Sequence, residues 1–192
     1  TQPDVFYFGN AVGETGNTAL NAQVNMTDRL AVRAHALSPG IWSPVSSRYD
    51  LNRDGLVNTT DERIAASFGT SSGNAVQLLK PAESYVWSDV VSRNIFYNNS
   101  SFDGNNAGVN AADDGAIAAD KLALLPGQSA TFATYTSYNR GINGVMVDIA
   151  GSPLSLTADD FEFRVGNNAS ASQWSLAANP NSISMRFGAG VG

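Results

Sequence analysis

Residues 50 to 61 read Asp-Leu-Asn-Arg-Asp-Gly-Leu-Val-Asn-Thr-Thr-Asp, and few stretches leave a chain less freedom. Asp50, Asn52 and Asp54 occupy alternate positions, Gly55 follows at the bend, then come the Leu56 carbonyl, Asn58 and Asp61. A hard cation such as calcium takes six to eight oxygen ligands, and a twelve-residue loop delivers them from positions 1, 3, 5, 7, 9 and 12. Glycine at position 6 supplies a backbone conformation that other residues resist. Asp and Asn also favour plain surface turns. Five oxygen-bearing positions in register with the glycine favour a calcium ligand set: Asp50, Asn52, Asp54, Leu56, Asn58 and Asp61.

The loop is of the EF-hand type, with the usual twelfth-position Glu replaced by the shorter Asp61. The string Asp-x-Asn-x-Asp-Gly-x-Val-Asn-x-x-Asp resembles one half of a type I dockerin, a small calcium-dependent docking module. That resemblance implies a second loop-helix unit. Val24-Asn25-Met26-Thr27-Asp28 answers Val57-Asn58-Thr59-Thr60-Asp61, from position 24 to position 57. Each copy leads into a short helical pattern, Leu30, Ala34 and Leu37 in the first and Ile64 and Phe68 in the second, with Gly69 as the expected stop.

The first loop departs from the pattern. In strict register Asn17, Ala19, Asn21 and Ala22 fall at positions 1, 3, 5 and 6, so one ligand and the glycine are missing. A longer loop starting at Glu14 or Asn17 and ending on Asn25 and Asp28 either wraps a second ion or is a degenerate half that folds without metal. Glu14, Asn17, Asn25 and Asp28 are its candidate ligands.

A hydrophobic content of 43% over 192 residues suffices for one large or two small domains. The net charge of −6 lacks the basic footprint that nucleic acid requires. No apolar run is long enough to span a membrane. Without cysteine, neither disulfides nor thiolate chemistry are available. Loops of this modest charge work at extracellular calcium levels, which points to an extracellular or cell-surface setting. The absence of an initiator Met and the Gly-rich end at Gly188–Gly192 suggest a segment of a longer polypeptide.

Beyond the loops the texture changes. Asp4 to Phe8 reads as a strand ended by Gly9 and Asn10. After the breaks at residues 71–74 and 80–81, strands are expected at Tyr85–Trp87, Val90–Tyr97, Ala130–Thr136, Gly144–Ala150, Phe161–Val165 and Ser182–Phe187, with a helical turn within 116–125. The expected fold is therefore multidomain α + β. Residues 1–80 form a dockerin-like loop-helix pair with a leading strand, and residues 84–192 an antiparallel β-sandwich, incomplete with only six visible strands. An incomplete sandwich leaves a sheet edge open to association. Residues 93–104 and 141–148 resemble segments of large multidomain exported proteins of bacteria.

Asp103, Asn105, Asn106, Asp113, Asp114 and Asp120 form a second acidic cluster, read as turn chemistry and a helix cap in preference to another calcium site. Catalysis finds no motif. His35 is the lone histidine, and Glu14, Glu62, Glu83 and Glu162 are scattered. The chain is thus expected to be a non-catalytic calcium-ordered module. The dockerin resemblance implies contact with a cohesin-like domain, or with the chain's own sandwich in cis, which the short linker favours. The alternatives are a carbohydrate-binding accessory module, stacking Trp42, Trp87 or Trp174 on sugar rings, and a piece of a polysaccharide-degrading enzyme.

Overall fold

Both helices start on an asparagine. In the computed structural model, which describes residues 3–82, 89–151 and 155–189, α1 spans Met26–Ala34 and α2 spans Thr59–Ser67. Asn25 and Asn58 are their N-caps, and Asp28 and Asp61 return a hydrogen bond to the cap backbone in a reciprocal box. The 33-residue spacing seen in the sequence therefore fixes both helix starts.

The buried faces differ from the expected ones. Leu30, Leu37 and Phe68 are exposed; Asp28 and Val32 in α1, and Asp61 and Ala65 in α2, are the buried residues. Val32, Leu51, Val57 and Ala65 form a small core between the helices, with Tyr49 and Ile64 against it. α2 ends at Ser67 with Phe68 as its C-cap, so Gly69 follows directly on the cap, without the left-handed backbone of a glycine stop. On the outer surface Glu62 takes Arg29 at 2.9 Å and Arg33 at 2.5 Å, tying α2 to α1. Those two guanidiniums hold the Glu62 carboxyl down at about 2.

Strand content among the described residues is small. It comprises β1 (Gly9–Asn10), β2 (Val90–Ile95), β3 (Tyr135–Thr136), β4 (Val145–Ile149), β5 (Arg164–Val165) and β6 (Ser175–Leu176). They pair as three separate two-stranded sheets: β1 with β3 in parallel, β2 with β4 and β5 with β6 antiparallel. The described residues form a mixed α and β structure without a closed barrel. No described helix is long and apolar enough to cross a membrane.

Several expected strands take other forms. Asp4 to Phe8 contributes one bridge, Tyr7 to Leu124, and the paired residues are the Gly9 and Asn10 assigned as its end. Residues 130–136 begin as a 3-10 helix, Phe132–Thr134, before β3. Of Phe161–Val165 only the last two residues pair as strand, and residues 182–187 form no strand among the described residues. The expected helical turn comes earlier, as the 3-10 helix Ala111–Ala116. Tyr85–Trp87 and Glu83 lie outside the described residues.

Two further cores join early residues of the chain to residues as late as Tyr138. Ile95, Tyr97, Ala116, Ala118 and Tyr138 pack with Phe8 and Val45, and Ala11 and Ala22 pack with Tyr135. The loop-helix pair thus rests directly on the later residues.

Candidate metal centre

Loop 50–61 holds its shape through its own carboxylates. Asp50 Oδ2 accepts the Gly55 N–H at 3.0 Å, and Oδ1 accepts the Asp54 N–H at 3.2 Å. Asp54 Oδ1 accepts the Leu56 N–H at 2.9 Å, while its Oδ2 takes Asn52 Nδ2 at 2.9 Å. Asp61 closes the ring, accepting Leu51 N–H at 2.7 Å and Asn58 N–H at 2.9 Å. Gly55 sits at φ +83°, where a side chain would also strike the Trp42 ring. The bend therefore requires glycine on two counts.

Asp50 and Asp61 are fully buried. Burial pushes the Asp50 carboxyl up to about 7; Arg53 pulls against that shift, and Asp61 adds to it. Asp61 is raised too, again chiefly by burial. An ionised carboxylate in such a place calls for a cation, and the oxygen donors gathered there are of the hard type that suits calcium. Asn58 serves as the cap: its Oδ1 is taken by the Thr60 N–H at 2.7 Å. Among the described residues, no three His, Cys, Asp or Glu side chains are grouped so that they could hold a metal ion. The ligands expected of the loop also include Asn52 and the Leu56 carbonyl.

The first loop repeats this wiring with three more residues between its carboxylates. Glu14 stands where Asp50 stands, and Asp28 where Asp61 stands; both are fully buried. Glu14 Oε1 accepts Gly16 N–H at 3.0 Å, and Asp28 Oδ1 accepts Thr15 N–H at 3.0 Å and Asn17 Nδ2 at 2.8 Å. Glu14, Asn17 and Asp28 are therefore brought together, whereas Asn25 caps α1 through the Thr27 N–H. Burial raises Glu14, Tyr135 counteracts it and Asp28 reinforces it.

Two partners have no signature in the sequence. The Tyr135 hydroxyl donates a short hydrogen bond to Glu14 Oε2. Arg53, at φ +55° inside the second loop, is buried, donates to Tyr97 Oη at 2.9 Å and to the Ser47 carbonyl, and lies over the Tyr97 ring. The two tyrosines lie 121 and 44 positions further along the chain, so no local pattern announces them.

The remaining candidates have other roles. His35 stacks on Tyr49 at 3.9 Å and closes α1. Trp174 packs edge-on against Tyr7. Trp42 is 68% exposed beside Gly55, and Trp87 lies outside the described residues. In the second acidic cluster Asp103 and Asp113 close 3-10 capping boxes, Asp114 pairs with Arg186 at 2.5 Å and Asp120 with Lys121 at 3.0 Å.

Comparison with protein-family models, curated proteins and solved structures finds no match to this chain.

Proposed function

We propose that this chain is a non-catalytic calcium-binding structural module of a secreted or cell-surface protein. The observation that carries the reading is the pair of fully buried carboxylates, Asp50 and Asp61, at the two ends of a loop with calcium-ligand spacing. Asp50, Asn52, Asp54, the Leu56 carbonyl and Asp61 would hold the ion, with Asn58 beside them at the helix cap. Bound there, Ca2+ supplies the positive charge that the buried carboxylates lack. Asp50 meanwhile fixes the bend through Gly55 and Asp54, and Asp61 joins Leu51 to the start of α2. Glu14 and Asp28 are the weaker second pair.

The ordered loop works in cis on this reading. The Arg53 carbonyl accepts Ser101 N–H at 3.0 Å, and the Leu51 carbonyl accepts Asn139 N–H at 2.9 Å. These bonds support a role in which the loop braces the later, strand-bearing residues. A dockerin-like pair, a β-sandwich and a cohesin-like partner remain the finer form of the proposal.

Thermal melting in calcium and in chelator tests it. Calcium at a hundred times its dissociation constant stabilises the native state by about 2.7 kcal/mol. Asp50→Ala and Asp61→Ala should each abolish that increment. Equal destabilisation in chelator and in calcium would show that the loop is a plain turn.

The exposed Trp42, next to the loop, favours a second reading as a carbohydrate-binding accessory module. Glycan pull-down with and without chelator, repeated with Trp42→Ala, decides between them.

A further inference from the structure

The string that opens both helices occurs a third time, as Val109-Asn110-Ala111-Ala112-Asp113. It builds the same local structure. Asp113 Oδ2 accepts the Asn110 N–H at 2.9 Å, matching Asp28 with Asn25 at 2.9 Å and Asp61 with Asn58 at 2.9 Å. Asn110 Oδ1 accepts Ala112 N–H at 2.8 Å, as Asn25 does from Thr27 and Asn58 from Thr60. Asp113, like the other two, is fully buried.

The difference lies in the other carboxylate oxygen. In the first two copies Oδ1 receives a backbone N–H from the start of its loop, Thr15 at 3.0 Å or Leu51 at 2.7 Å. Asp113 Oδ1 is buried with no hydrogen-bond partner. Its neighbour Arg186 is engaged by Asp114, at 2.9 and 2.5 Å. A charged oxygen in such a place has given up water and received nothing in return.

The chain ahead of it supplies further oxygens. Asn98 Oδ1 is a second buried atom without a partner; its amide nitrogen is turned to the Ala107 carbonyl at 3.3 Å. Phe96 faces Ile117 across a bridge, and Tyr97 N–H reaches the Ala116 carbonyl at 3.0 Å. That pairing brings Asn98 level with Gly115, two residues from Asp113. The Phe102 carbonyl presses on Gly115 so closely that a Cβ there would lie 2.9 Å from its oxygen. Asp103, buried, sits on the adjoining 3-10 helix, Ser101–Asp103.

We propose that Asn98 and Asp113, with the Phe102 carbonyl and Asp103 beside them, form a third site for a hard divalent cation of the calcium class. Unpaired oxygens and a buried negative charge are what such an ion satisfies, and nitrogen or sulfur ligands are absent from the set. The site shares no residue with loop 50–61 and stands independently of the reading given to that loop.

Calcium stoichiometry by equilibrium dialysis against calcium chloride tests it. The full chain carrying Glu14→Gln and Asp50→Asn should retain one equivalent. Adding Asp113→Asn, which keeps an oxygen for the Asn110 N–H, should remove it without lowering the melting temperature in chelator. Retention of none in the double variant, or of an equivalent that survives Asp113→Asn, overturns the proposal. Should any of these variants fail to fold, Asn98→Ala in the otherwise native chain makes the comparison: the stoichiometry falls by one, or the proposal fails. Failure of the loop reading looks different, since Asp50→Asn alone would then leave the native stoichiometry unchanged.

Discussion

Asp50 is a carboxylate enclosed by protein, and its proton tells on stability. Its ordinary value is 3.8 and burial lifts it to about 7 in the folded, metal-free chain. The folded state therefore holds this proton more tightly than the unfolded state does. The resulting stabilisation is complete below the ordinary value and is lost as pH rises through about 7, at no more than about 1.4 kcal/mol per pH unit for one proton. In chelator the chain should thus lose stability between about pH 4 and pH 7, and Asp50→Asn should flatten that slope. Calcium reverses the sign, because it competes with the proton for the same oxygens. Its stabilising increment should grow over the same interval. Melting curves at several pH values, with and without calcium, check both slopes; an unchanged slope in Asp50→Asn assigns the titration to another group.

At the level of elements, the helix starts are set by single side chains. Asn58→Ala removes the acceptor for Thr60 N–H and should cost about 1 kcal/mol, measured by urea unfolding. Gly55→Ala meets both the positive φ and the Trp42 ring and should cost at least about 1–3 kcal/mol. In a Trp42→Ala background the steric share should disappear and the backbone share persist. Caps and turns such as these were legible in the sequence because residues within four positions decide them. The helices that follow the two Val-Asn-x-x-Asp strings were read correctly for that reason. Two expected strands also form, Val90–Ile95 and Val145–Ile149; the others form only in part or not at all among the described residues. Phe161, Phe163 and Val165 alternate with polar residues, yet alternation records only that a face exists. A strand also needs a partner, and the partner here, β6, offers two residues. Upstream, the Thr157–Asp160 box winds residues 158–160 into a 3-10 turn, and the Phe161 and Phe163 rings stack on one another. The helix pattern failed differently. Leu30 and Leu37 mark the helical pattern, but the buried positions belong to Asp28 and Val32, because the cap carboxylate must turn inward to reach its loop.

Across the whole molecule, Arg53 fastens the second loop to the later residues. Its guanidinium bonds the Tyr97 hydroxyl and the Ser47 carbonyl and covers the Tyr97 ring. Hydrogen bonds to a charged group are worth about 1.5–3 kcal/mol. Arg53→Met, which keeps much of the volume, should therefore lower stability by about that amount in urea unfolding; a loss below about 0.5 kcal/mol would make the contact incidental. Glu14 depends on a more distant residue still, since Tyr135 lies 121 positions further along the chain. Translation adds about 5–20 residues per second, so on the order of ten seconds separate the appearance of Glu14 from that of its phenol. Loop 50–61 waits for nothing comparable, because Gly55, Leu51 and Asn58 donate to it from within. During synthesis the second loop can close soon after it leaves the ribosome, while in the first loop, complete at Asp28, Glu14 lacks its distant donor until the chain has grown about five-fold in length.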